Sequence, residues 1–259
     1  MFIDTHTHLY LNAFDEDFNQ IIKNAIDKGV KYMLLPNIDS NSINKMLEIC
    51  NDYPNNCFPM LGLHPTSVKS NFIEELKKLK KYLSNNTFYA IGEIGIDLYW
   101  DKTFIKEQVE AMMFQIFWAR EYELPIVIHS RNSFNEVFKI LNDSKFPGMR
   151  GVFHCFSGSV DQARKVIDEL GFKLGIGGVV TFKNSGLDKV VKEIALENIV
   201  LETDSPFLAP MPFRGKRNES AYTIIIAEKI AAIKNISIEE VAETTTKTAL
   251  ELFKFENKS

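Results

Sequence analysis

Eight short apolar runs recur along this chain, and most alternate with stretches of helical period. The runs cover residues 2–6, 31–37, 57–64, 89–97, 125–131, 151–156, 172–178 and 198–204. None has the polar-apolar alternation of a strand with one wet face, so each reads as a strand covered on both sides, as in a parallel sheet. Helical spacing of apolar residues marks 15–29, 71–83, 104–123, 133–144, 159–170, 186–196, 219–234 and 237–253. The first of these opens on acids and closes on Lys28-Gly29, a start-and-stop pair. The last opens with Ser237 and Glu240 in capping-box spacing. The Met- and Phe-rich stripe of 104–123 reads as a helix packed on a sheet.

Eight strands with their helices make the count of a (β/α)8 TIM barrel, here with an extra C-terminal helix. A doubly wound open sheet is the competitor, but no glycine fingerprint follows the first strand. The 259 residues suit one domain spanning 1–259. The longest irregular piece, 205–220, carries three prolines and reads as a functional loop.

The chain has five histidines, and each falls at or near a strand end. His6 and His8 close the first strand, His64 the third and His129 the fifth, while His154 lies late in the sixth. In a barrel these ends share one face, the one that carries chemistry. Positions i and i+2 of a strand point the same way, so His6 and His8 aim together at the barrel axis. His129 and His154 offer a second pair on neighbouring strands. Cys155 then turns to the opposite side from His154 and reads as packing.

Two carboxylates join the imidazoles: Glu93 between glycines on strand four, and Asp204 ending strand eight. A charge in so apolar a run is costly unless paired or bound to metal. Four imidazoles and two carboxylates exceed one tetrahedral zinc site and suit two divalent ions, magnesium, manganese or zinc, with Glu93 as a bridging carboxylate.

The segments DTHTHL (4–9), GLHP (62–65), GEIGID (92–97), LPIVIHSR (124–131), FHCFSGS (153–159), LETDSPFLAP (201–210) and RGKRNE (214–219) stand in one order along the chain. Through them the sequence resembles the TatD family of metal-dependent hydrolases, within the amidohydrolase-like barrels. The resemblance implies that His6, His8 and Asp204 hold one metal, His129 and His154 the other, and that Glu93 bridges them. It implies a phosphodiesterase acting on DNA, often a 3′–5′ exonuclease on single-stranded or frayed ends, with RNA a possible substrate class. Asn132 and Ser220 depart from the family pattern, which commonly has an acid and a proline there.

Asp204 is also a candidate general base, and His64 a candidate phosphate or leaving-group contact. Arg131 and the cluster Arg214, Lys216 and Arg217 are candidate phosphate contacts. Hydrolysis of an ester or amide, as in deacylation of a D-aminoacyl-tRNA, is the alternative reaction, and a non-catalytic metal-binding scaffold the alternative class.

The formal charge of −4 excludes a global basic field for duplex DNA. Three cysteines without close spacing argue against a disulfide framework or thiolate zinc site and fit a reducing cytoplasm. No long apolar run calls for a membrane, and no obligate protein partner is evident.

Overall fold

The computed structural model describes residues 1–255. Its strands are β1 (Phe2–Asp4), β2 (Val30–Pro36), β3 (Cys57–Met60), β4 (Ile91–Asp97), β5 (Ile126–Arg131), β6 (Gly151–Phe153), β7 (Lys173–Ile176) and β8 (Ile199–Leu201). The helices are α1 (Phe18–Asp27), α2 (Ile43–Asp52), α3 (Phe72–Asn85), α4 (Ile105–Glu121), α5 (Phe134–Asp143), α6 (Val160–Arg164, continued by a π-turn over Lys165–Glu169), α7 (Leu187–Glu193), α8 (Thr223–Lys234) and α9 (Ile238–Phe253).

Every ladder is parallel, in two arcs, β1-β2-β3 and β4 through β8. Backbone bonds close both seams. At one, the Leu61 amide donates to Ala90 O and the Gly92 amide to Leu61 O; at the other, the Thr5 amide donates to Leu201 O and the Asp204 amide to His6 O. The result is the expected (β/α)8 barrel, with α9 as the extra helix.

Ile3, Leu34, Phe58, Met60, Ala90, Val127, Val152 and Val200 fill the barrel interior. On β7 no such side chain is possible. A Cβ at Gly175 would lie 2.1 Å from Glu202 Oε2, so the carboxyl group of Glu202 takes that space. The end of α9 plugs the bottom, where the Phe255 ring packs 4.9 Å from Phe58 and 5.4 Å from Tyr89. The larger outer core lies between strands and helices.

The expected elements include no helix between the second and third strands. The structure places α2 there, burying Ile43, Met46, Ile49 and Cys50. The signal was present, since Ile43, Met46, Leu47 and Cys50 stand at i, i+3, i+4 and i+7 of a short ten-residue segment. Ser237 does cap α9, accepting from the Glu240 amide at 3.1 Å, while a complete capping box appears at Ser159 and Gln162. Asp17, at the start of α1, makes no cap bond because its carboxylate is taken by Arg217. On α4 the stripe is only partly covered, since Met113, Phe114 and Phe117 face outward. Among the described residues no helix is long and apolar enough to cross a membrane.

β4 and β5 lie close because Gly95 has no side chain. A Cβ there would sit 1.9 Å from His129 O, and its φ of +147° is unfavourable for any L residue. Gly95→Ala is therefore expected to destabilise the fold by more than about 4 kcal/mol; a melting temperature near wild type would count against this close approach.

Candidate metal centre

Regular pairing stops early on four strands, so His6, His8, His64, His154 and Asp204 lie on the loops just beyond β1, β3, β6 and β8, while Glu93 and His129 stay within β4 and β5. All seven side chains nonetheless meet at one rim, around Glu93.

The two carboxylate oxygens of Glu93 face different partners. Oε2 lies 3.3 Å from His6 Nε2 and 4.0 Å from His8 Nε2. Oε1 lies 2.7 Å from His129 Nδ1, 3.5 Å from His64 Nε2 and 3.7 Å from His154 Nε2. Asp204 Oδ1 completes the ring, 3.4 Å from His8 Nε2, 3.8 Å from His154 Nε2 and 4.0 Å from His6 Nε2.

Hydrogen bonding behind the cluster sets which nitrogens carry lone pairs. Tyr10 OH donates to Pro36 O at 2.7 Å, so its oxygen accepts from His8 Nδ1–H at 2.9 Å. A neutral His8 then presents a bare Nε2 to Asp204 and, at 3.3 Å, to His6 Nε2. His154 Nδ1 lies 3.0 Å from Glu202 Oε1 without hydrogen-bond alignment. That carboxylate favours the proton on Nδ1 and again leaves Nε2 toward the centre.

His64 is the opposite case. Its Nδ1 accepts from the Thr66 amide at 3.1 Å, so the neutral ring keeps its proton on Nε2, facing inward. His64 is thus built as a donor into the site.

Lone pairs and anionic oxygens packed 3.3–4.0 Å apart repel unless a proton or a cation lies among them. Donors about 2.0–2.2 Å from a zinc ion stand roughly 3–3.6 Å from one another, which overlaps the lower end of the 3.3–4.0 Å that separates these atoms. Imidazole and carboxylate together suit zinc or manganese. His6 turns Nε2 toward this cluster, while its other ring nitrogen, Nδ1, is buried with no hydrogen-bond partner. The residues therefore fit divalent metal.

In the metal-free chain protons fill the gap. Burial opposes a charge on His129, but hydrogen bonds to Asp97 and Glu93 outweigh it and hold its pKa at about 9. Burial likewise opposes His154, and Glu202 and Glu93 carry it to about 10. Burial alone would raise Glu93 and Asp204, yet the surrounding imidazoles hold both carboxyls below their usual range. His6 moves to about 4, chiefly through burial and then the neighbouring His154.

Several participants escape sequence reading. Asp97 Oδ2 accepts from His129 Nε2 at 2.9 Å and fixes that ring. Glu202 backs His154, and Asp4 accepts from Thr203 Oγ1 at 2.6 Å and braces the β1–β8 seam. The signal was present. Asp97 follows Glu93 by four strand positions and Glu202 precedes Asp204 by two, so each pair shares a face, and the cost of a buried charge applies to all four. Asp97→Asn is expected to lower metal affinity or activity about 10- to 100-fold, read by metal titration and turnover; unchanged affinity and rate would remove Asp97 from the site.

Cys155 does not turn away as strand alternation requires. β6 ends at Phe153, and Cys155 has a φ of +47°, which brings its thiol near His154 and Asp204. Burial pushes that thiol well above its ordinary pKa, so it remains a neutral thiol.

The basic cluster divides. Arg217 is bound to Asp17 at 2.8 and 2.6 Å, to Ala13 O at 2.7 Å and to Glu219 at 3.3 Å. It pins the 205–219 loop to the start of α1 and is committed there rather than free for phosphate. Arg214 is exposed over the Phe182 ring at 4.4 Å, and Lys216 is exposed. Arg131, also exposed, stacks on Tyr99 at 3.9 Å. Of the two departures, Asn132 takes a φ of +55°, which asparagine tolerates, and buried Ser220 donates to Thr7 Oγ1 at 3.3 Å.

A parallel barrel that gathers imidazoles and carboxylates at the C-terminal rim of its strands defines a metal-dependent hydrolase. More particularly, the chain belongs to the TatD related DNase family, whose model matches residues 3–254. It is 38% identical over 255 residues to the uncharacterized metal-dependent hydrolase YabD of Bacillus subtilis, covering 98% of this chain and 99% of that one. It is 30% identical to the uncharacterized metal-dependent hydrolase YcfH of Escherichia coli K12, covering 97% and 95%. The crystal structure of YjjV, a TatD homologue from E. coli K12, superposes with a TM-score of 0.92 at 28% identity over 98% of each chain.

Proposed function

We propose that this protein is a dinuclear metal-dependent phosphodiesterase that removes nucleotides from single-stranded or frayed DNA ends. The observation that carries this reading is the division of labour at Glu93, whose Oε2 faces His6 and His8 while Oε1 faces His129 and His154. His6, His8 and Asp204 would hold one ion, His129 and His154 the other, and Glu93 would bridge. Magnesium, manganese or zinc bound there supplies Lewis-acid polarisation of a phosphoryl oxygen and lowers the pKa of a water.

The chain's own groups do the rest. Asp204, held ionised, accepts the proton of the attacking water on its carboxylate. His64 donates from Nε2 to a phosphate oxygen and so helps place the phosphorus. Arg131, Arg214 and Lys216 offer exposed positive charge around the mouth. The side chains of His64, Asp204 and His129 are only 14%, 15% and 16% exposed, so a strand end or a splayed nucleotide suits the site better than an intact duplex. The family's description as DNase supports the same substrate class.

The test is purified protein with end-labelled single-stranded DNA and Mg²⁺ or Mn²⁺, beside an aryl ester. The expected result is stepwise shortening of the DNA that requires metal and is lost in His6→Ala. Ester turnover without DNA cleavage would overturn the nuclease reading.

A further inference from the structure

Immediately after Asp97, the loop between β4 and α4 carries Tyr99 and Trp100 side by side, 53% and 68% exposed. Their rings meet edge to face, 4.9 Å apart. The Arg131 guanidinium, from the end of β5, lies 3.9 Å from the Tyr99 ring centre and 5.4 Å from that of Trp100. Single exposed apolar residues are unremarkable, but two adjacent aromatics under a planar cation, at the rim of a catalytic face, form a surface with open π-faces and positive charge.

This surface is tied to the metal centre. Asp97 Oδ1 accepts from the Tyr99 and Trp100 amides at 2.9 and 3.0 Å, while Oδ2 accepts from His129 at 2.9 Å. The Leu98 amide donates to Arg131 O at 2.9 Å, which locks the loop to β5. One carboxylate thus positions both a candidate metal ligand and the backbone bearing the aromatics. Across the barrel, four strands away, Phe207 stands half exposed with its ring 6.1 Å from His8. The centre lies between the two aromatic walls.

We propose that Tyr99, Trp100 and Arg131 form a stacking subsite for a nucleobase of the substrate, next to the phosphate that is cleaved. This rests on the nucleic-acid reading above and adds to it the groups that grip the base. Stacking on an aromatic face tolerates any base, because every base has a π-face, and it suits a strand whose bases are already unpaired. Phosphate contacts alone would hold a duplex and an abasic backbone equally well; a stacking subsite does not.

Two measurements test it. The first needs no catalysis. The chain has two tryptophans, and Trp118 is only 6% exposed. With metal chelated, titration with oligothymidylate or oligouridylate is expected to quench Trp100 emission, while an abasic oligonucleotide of equal length leaves it unchanged. Trp100→Phe should abolish the quench. The second uses metal-loaded enzyme. Trp100→Ala should raise KM for oligothymidylate about 5- to 150-fold, from the usual contribution of one base–aromatic stack, with kcat within about twofold. Trp100→Phe should restore most of KM.

Equal quenching by abasic and base-bearing strands, or none by either, would overturn the subsite. So would a KM for Trp100→Ala that stays at the wild-type value. Absence of cleavage by the wild type would instead count against the nuclease reading, with the fluorescence titration still deciding the subsite.

Discussion

Replacing Glu93 by glutamine is expected to reduce metal-dependent kcat by about a thousandfold or more. The side chain keeps its shape but loses the charge that both of its oxygens present to five imidazoles, at 2.7–4.0 Å. Lewis-acid stabilisation of the transition state is worth several kcal/mol, and each 1.36 kcal/mol is tenfold in rate. The same change leaves buried imidazoles without their central counter-ion, which destabilises the metal-free protein at pH values where His129 and His154 are charged. Turnover and bound metal per chain should be measured together. A Glu93→Gln protein that keeps its metal and its kcat would show that the centre works without this carboxylate.

Metal affinity is expected to rise steeply with pH, by up to about a hundredfold per unit between pH 6.5 and 9. The metal-free chain holds His129 and His154 protonated to about 9 and 10, against an ordinary 6.5. An ion can take Nδ1 of His129 and Nε2 of His154 only as those protons leave, and each displaced proton contributes at most tenfold per pH unit. Calorimetry in buffers of different ionisation heat should count close to two protons released near pH 7.5. Folding stability of the chelated protein should run the other way. A raised pKa stabilises the fold fully below 6.5, and that contribution disappears as pH climbs through about 9 to 10. Glu93, Asp97 and Asp204 are held low, so their contribution is present above about pH 4 and is lost in acid. His6 and His64, held below their ordinary value, cost stability as pH falls below 6.5, so chelated protein is expected to be most stable near pH 6.5, and metal should shift that optimum upward. A metal affinity indifferent to pH would mean that His129 and His154 do not give up protons to the ion.

Much of this was legible in the chain. Buried strands announce themselves as continuous apolar runs, and eight of them with their helices imply a closed cylinder, because a parallel sheet needs cover on both faces. Histidines at strand ends then converge by topology alone, and a carboxylate inside an apolar run declares that something must balance it. Those arguments reach His6, His8, Glu93, His129, His154 and Asp204. Tertiary structure decided what spacing along a chain does not encode. It paired Asp97 with His129 and Glu202 with His154, and it set the tautomers of His8 and His64 through Tyr10 and Thr66. It gave Arg217 to Asp17, turned Cys155 inward by one left-handed residue, and stacked Arg131 on Tyr99. Periodicity fixes which face a residue takes, since that follows from local backbone geometry. Which partner it meets depends on where distant loops close, and only the folded chain specifies that.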